Sequence, residues 1–101
     1  MVASKRKVAW DKQAAYAFGK AIAYIRKDSD QSAEKVKRDI LQKIDKLPEQ
    51  PEAHALDKYK INNNGTYRVF ELHRYRISYL IKENEIIIVR IRHTSQHPLE
   101  Y

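Results

Sequence analysis

A chain of 101 residues with a formal net charge of +7 has room for one small domain spanning residues 1–101 and one hydrophobic core. Cysteine is absent, which excludes disulfides, thiolate metal sites and cysteine nucleophiles together and fits a cytoplasmic setting. No apolar run is long enough to span a bilayer and the start MVASKRKVAW lacks the apolar stretch of a secretory signal, so the positive excess points to a polyanion or an acidic protein as partner.

Lys5 to Trp10 reads as a strand at a sheet edge. From Asp11 to about Arg26, Ala14, Phe18, Ala21, Ile22 and Ile25 recur at three- and four-residue steps, one stripe of an amphipathic helix with Asp11 as its N-cap. Residues 27–30 (Lys-Asp-Ser-Asp) form a short turn. A second helix follows, with Ala33, Val36, Ile40, Leu41, Ile44 and Leu47 on one face. On its other face Glu34 with Arg38 and Asp39 with Lys43 are spaced for ion pairs. Pro48 and Pro51 end it, and so short a turn makes the two helices an antiparallel hairpin.

Beyond a polar connector the pattern turns to strands. Thr66 to Leu72, Tyr75 to Ile81 and Ile86 to Ile91 are rich in β-branched and aromatic residues, joined by the short links His73-Arg74 and Glu83-Asn84. The expected fold is α+β: an N-terminal antiparallel helical hairpin packed on one face of a small antiparallel sheet. Asn62-Asn63-Asn64-Gly65 marks the turn into it.

Several chemistries are set aside by composition. Gly19 and Gly65 are the only glycines, so there is no phosphate loop, and no serine sits in a nucleophile elbow. His93 and His97 have i, i+4 spacing, but Pro98 argues against the helix that would align them on a metal. No metal or organic cofactor is expected.

Strand alternation places Tyr75, Ile77, Tyr79 and Ile81 on one face of the middle strand and Arg76, Ser78 and Leu80 on the other. On the last strand it groups Ile87, Val89 and Ile91 against Ile88, Arg90 and Arg92. With the first sets under the helices, Arg76, Arg90 and Arg92 lie on the open face. Arg68 falls with Phe70 and Leu72 unless a bulge or strand end brings it round. Such an arginine cluster, with Tyr67 and His73 nearby, suits a polyanion such as single-stranded RNA.

The order of a helix hairpin, Tyr-Arg-Val-Phe-Glu-Leu (67–72), Tyr-Arg-Ile-Ser-Tyr (75–79) and Glu-Ile-Ile-Ile-Val-Arg-Ile-Arg-His (85–93) resembles the RelE/ParE superfamily of type II toxin–antitoxin toxins, often called plasmid stabilisation proteins. The resemblance implies one of two activities. RelE-type members are ribosome-dependent endoribonucleases (mRNA interferases) that inhibit translation; ParE-type members share the fold, lack the nuclease residues and poison DNA gyrase.

Carried over from the nuclease branch, the resemblance assigns catalysis to Arg68, Arg76, His93 and Tyr101. In that assignment Arg68 and Arg76 stabilise the phosphate while His93, or His97, and Tyr101 handle protons. Arg90, Arg92 and His97 bind RNA. Two departures are visible: Phe70 and Glu71 stand where a second basic residue is expected, and Ser95 stands at the basic position beyond the last strand. The leading expectation is the endoribonuclease acting on the ribosome and its mRNA, with a non-enzymatic gyrase inhibitor as the alternative. A degenerate member retaining only antitoxin binding is a third. In each case the resemblance implies a hetero-oligomer with a cognate antitoxin and no membrane; Leu80, Ile86 and Ile88, aliphatics left over after packing, either contact that partner or complete the sheet.

Overall fold

A computed structural model describes residues 6–101. Strand β1 (Lys7–Trp10) leads into helices α1 (Lys12–Arg26) and α2 (Asp30–Asp45). Strands β2 (Ala55–Leu56), β3 (Tyr67–Leu72), β4 (Tyr75–Ile81) and β5 (Glu85–His93) follow. They form one five-stranded sheet in the order β1-β5-β4-β3-β2. All pairings are antiparallel except β1 with β5, which is parallel because both helices intervene before the chain returns to that edge. The expected edge strand is therefore present, although its first residue, Lys5, lies outside the described residues. The two-residue β2 carries no apolar pattern to announce it.

Both helix starts are capped by side chains. Asp11 accepts from the Gln13 amide at 3.0 Å and Ser29 from the Ser32 amide at 3.0 Å, satisfying donors the first turn leaves free. The ion pairs differ from those expected. Arg26, at the end of α1, reaches Asp30 and Glu34, while Asp39 takes Lys35 at 3.1 Å and His73 at 2.7 Å. Lys43 lies instead over the Phe70 ring at 5.4 Å, where the sheet offers it an aromatic face.

The helices cover one face of the sheet. Ala14, Ile40, Ile44 and Leu47 pack with Phe70, Tyr75, Ile77, Tyr79, Ile86, Ile88 and Ile91. Tyr79 is fully buried and its hydroxyl donates to the Pro51 carbonyl at 2.6 Å. Burial pushes its pKa up to about 12.

The register of β5 corrects the expected alternation. Ser78 pairs with Arg90 but Tyr79 pairs with Ile88, so Val89 is an extra residue, a β-bulge. Beyond it the faces exchange: Ile86 and Ile88 are 0% exposed in the core, while Ile87 and Val89 are only half-buried. Ile86 and Ile88 are thus unavailable as partner contacts; Leu80 remains partly exposed on the other face. The bulge keeps Arg90 and Arg92 beside Arg76 while feeding isoleucines to the core on either side of it.

Candidate functional site

The face of the sheet turned away from the helices carries Arg76 directly opposite Arg92, and Ser78 opposite Arg90. Like charges in register repel, so each guanidinium needs its own compensation. Arg76 is bound to Glu71 at 2.7 Å, its cross-strand partner on β3, and its guanidinium stacks 4.6 Å from the Tyr59 ring. Burial works against its charge, but the hydrogen bonds to Tyr59 and Glu71 outweigh it and raise its pKa.

Arg90 and Arg92 are answered by the chain's own C-terminal segment. Residues 94–101 fold back across the face as a strap: Arg90 donates to the Leu99 carbonyl at 2.6 Å and Arg92 to the His97 carbonyl at 3.1 Å. The far end is pinned by the Tyr101 amide to the Tyr59 carbonyl at 3.0 Å and by the Ile61 amide to the Tyr101 carbonyl at 2.7 Å. The Tyr101 ring lies under the Arg90 guanidinium at 4.4 Å and edge-on to Tyr67 at 6.2 Å. Its hydroxyl donates to Asp57 at 2.5 Å. Burial first, and that hydrogen bond second, raise the Tyr101 pKa well above its ordinary value, with Ser78 and Arg90 opposing.

Between strap and strands lies a cleft lined by Arg76, Arg90, Arg92 and His93 from the sheet and by Thr94 and Gln96 from the strap. Asp57, Tyr59 and Ser78 also line it. Asp57 is 2% exposed, and both its oxygens are taken, one by the Tyr59 amide and one by Tyr101. His93 is held by Ser95, which shares a 2.7 Å hydrogen bond with its Nδ1.

Arg76, Arg90, Arg92 and His93 thus come together, with Tyr101 stacked at the edge. Arg68 does not join them. It stands opposite Tyr79 on the helix-facing side, where it donates to the carbonyls of His54 at 3.0 Å, Gly65 at 3.3 Å and Glu52 at 3.4 Å. No bulge occurs in β3 to bring it round, so strict alternation with Phe70 holds. His97 contributes a backbone carbonyl to Arg92, and its ring is exposed. His73 is tied to Asp39 of α2, away from the cleft. Strand alternation places Ser78 with Arg76, whereas Asp57 and Tyr59, in the connector before β3, carry no periodic signal in the sequence.

Among the described residues no group of three or more His, Asp or Glu side chains is placed to hold a metal ion, and no helix is long and apolar enough to cross a membrane. Compared with known families, residues 8–98 match the model described as ParE toxin of type II toxin-antitoxin system, parDE. Among solved structures, a chain of the chromosomal ParDE TA system from P. aeruginosa superposes with a TM-score of 0.69. That likeness covers 90% of this chain and 98% of that one at 19% identity, and is a likeness of fold. No curated protein matches the chain.

Proposed function

The chain belongs to the ParE toxin family of type II toxin–antitoxin systems, and from that premise we propose that it arrests growth by poisoning DNA gyrase without cutting RNA. The match of the ParE-type model over residues 8–98 is the observation that carries this reading, and it favours the gyrase inhibitor over the endoribonuclease expected first. The site geometry supports it. A nuclease of this fold needs cations and proton carriers around one phosphate. Here Arg68 serves backbone carbonyls on the opposite face, Tyr101 has its proton committed to Asp57, and Ser95 stands where a further base is needed.

The protein acts in the cytoplasm, where gyrase works, and a cognate antitoxin neutralises it in a hetero-oligomer. The net charge of +7 suits an acidic antitoxin segment that orders on binding. Induction without antitoxin tests the reading in cells: DNA breakage with intact messages is the expected result, and cleaved messages with intact DNA overturn it.

One arrangement favours the ribosome-dependent endoribonuclease as a second reading. His93 lines the same cleft as Arg76 and Arg92, so an acid–base group stands beside cations. Under it, His93→Gln and Arg76→Gln each abolish message cleavage; under the gyrase reading there is no cleavage to abolish.

A further inference from the structure

The loop that leads into β3 carries three consecutive asparagines followed by glycine and threonine, Asn62 to Thr66, and the gyrase reading gives it no role. The asparagines are not equivalent. Asn63 is half-buried and its side-chain amide is fully engaged. Its Nδ2 donates to the carbonyls of Asp57 at 3.2 Å and Tyr67 at 2.8 Å, and its Oδ1 accepts from the amides of Gly65 at 3.0 Å and Tyr67 at 3.2 Å. Asn63 therefore ties β3 to Asp57, the residue whose carboxylate holds Tyr101. Asn64 is exposed, and its Oδ1 accepts twice from one residue, from the Thr66 amide at 3.2 Å and from the Thr66 hydroxyl at 2.6 Å. Thr66 is itself fixed, because its carbonyl accepts from the Ile81 amide at 2.8 Å.

Asn64 is also the one asparagine of the chain that precedes a glycine; Asn62, Asn63 and Asn84 are followed by Asn63, Asn64 and Glu85. An asparagine is chemically labile where the next main-chain nitrogen can reach its Cγ, and glycine has no side chain to obstruct that approach. Gly65 stands at φ +98°, and beyond its chain neighbours nothing lies within 4 Å of where a Cβ would sit. Attack forms the N–Cγ bond while a solvent base takes the Gly65 amide proton, and the carbonyl electron pair moves onto Oδ1. That oxygen already faces the two donors of Thr66, the arrangement that stabilises a developing oxyanion. Collapse breaks the Cγ–Nδ2 bond and releases ammonia, which takes its proton from water and leaves a succinimide ring in the main chain. Water then adds to either ring carbonyl. One opening yields aspartate; the other yields isoaspartate, whose main chain runs through the side-chain carbons. In sum one water is consumed, the amide becomes a carboxylate and ammonium departs. One contact opposes the reaction: the Gly65 amide, its nucleophile, is engaged by Asn63.

We propose that Asn64 is a self-modification site, which closes a succinimide with the Gly65 nitrogen while Thr66 donates to Oδ1, and opens to aspartate or isoaspartate. The two products differ in consequence. Aspartate keeps the oxygen that Thr66 binds and leaves the loop intact. Isoaspartate inserts a methylene into the main chain between Asn63 and Gly65. That insertion displaces Asn63 from the bonds by which it spans Asp57 and Tyr67, and so loosens the anchor of the strap. The site is independent of the toxin's target, so its failure and that of the gyrase reading are separable.

The test is ageing of the folded full chain in mildly alkaline buffer, followed by tryptic mapping. Cleavage after Lys60 and Arg68 puts Asn62, Asn63 and Asn64 on one peptide. The expected result is the mass gain of amide-to-acid exchange at residue 64 alone, with aspartyl and isoaspartyl forms told apart by fragmentation and by enzymatic methylation of isoaspartate. Thr66→Val slows the gain several-fold in the folded chain and leaves it unchanged in urea, where the donors are no longer placed. Thr66→Ser, which keeps both donors, ages as wild type, and Asn64→Gln, which closes only a larger ring, stays unmodified. Should Thr66→Val lose its fold, Thr66→Ala, which also lacks the hydroxyl, replaces it. In the isoaspartyl fraction the amides of Ile61 and Tyr101, which pin the strap, exchange with solvent faster than in fresh protein, whereas in Asn64→Asp they do not. An Asn64 that stays intact on ageing, modification spread equally over Asn62, Asn63 and Asn84, equal rates in folded Thr66→Val and wild type, or unchanged exchange at Ile61 and Tyr101 in the isoaspartyl form overturns the proposal.

Discussion

The Tyr101 hydroxyl donates to the carboxylate of Asp57, a buried acid 44 positions earlier in the chain, at 2.5 Å. This contact fastens the strap to the connector before β3 and turns residues 94–101 into part of the fold. Tyr101→Phe leaves a buried carboxylate oxygen without its donor, which costs about 2–3 kcal/mol. Urea unfolding should show that loss at neutral pH. The raised Tyr101 pKa fixes the sign with pH: the contribution is fully present below about pH 10 and fades as the pH rises through the folded-state value. The gap between wild type and variant should narrow accordingly in alkali.

Arg68 is expected to support the fold and take no part in toxicity. Its three backbone carbonyl acceptors tie the 52–54 stretch and Gly65 to β3. Arg68→Met should lower stability by about 2 kcal/mol. Toxic activity per folded molecule should match wild type. Loss of activity in a variant that keeps its thermal midpoint would place Arg68 in the site after all.

The bulge at Val89 makes neighbouring β5 positions unequal in a testable way. Ile88→Ala removes a fully buried side chain and should cost about 2–5 kcal/mol. Val89→Ala, at the half-buried extra residue, should cost well under half as much. Strict alternation would give the reverse order, and denaturation midpoints separate the two.

His54 should make the protein acid-sensitive. Its ring packs on Phe70 at 5.2 Å and edge-on to Tyr79 at 6.2 Å. Burial, and then Lys43, hold its pKa below 6.5. The unfolded chain protonates near 6.5 while the folded one resists, so stability from this group is present above that pH and lost as pH falls through the folded value. His54→Gln should flatten the stability profile below pH 6.5.

The helices are legible from the sequence because an apolar stripe runs along each and Asp11 marks the start of the first, whereas Ser29, which caps the second, lies inside the expected turn. The last strand was legible as a strand but not in phase. Ile86, Ile87, Ile88 and Val89 are all aliphatic, so either alternation satisfies the composition, and only the arginines that follow pin the open face. Arg76, Arg90 and Arg92 therefore share the face that alternation predicts, while Ile86 and Ile88 lie in the core and not on the open face. The strap has neither helical nor strand period, and its contacts run through backbone carbonyls that every residue owns. Asp57 and Tyr59 are long-range partners of that strap, so no local pattern could have grouped them with Arg90.

The most direct measurement is plasmid supercoiling by purified DNA gyrase in the presence of the folded chain, run beside primer extension on ribosome-bound message. Gyrase poisoning predicts inhibition of supercoiling with accumulation of cleaved plasmid, and uncut message at the same protein concentration. Unimpaired gyrase together with message cut on the ribosome would contradict it.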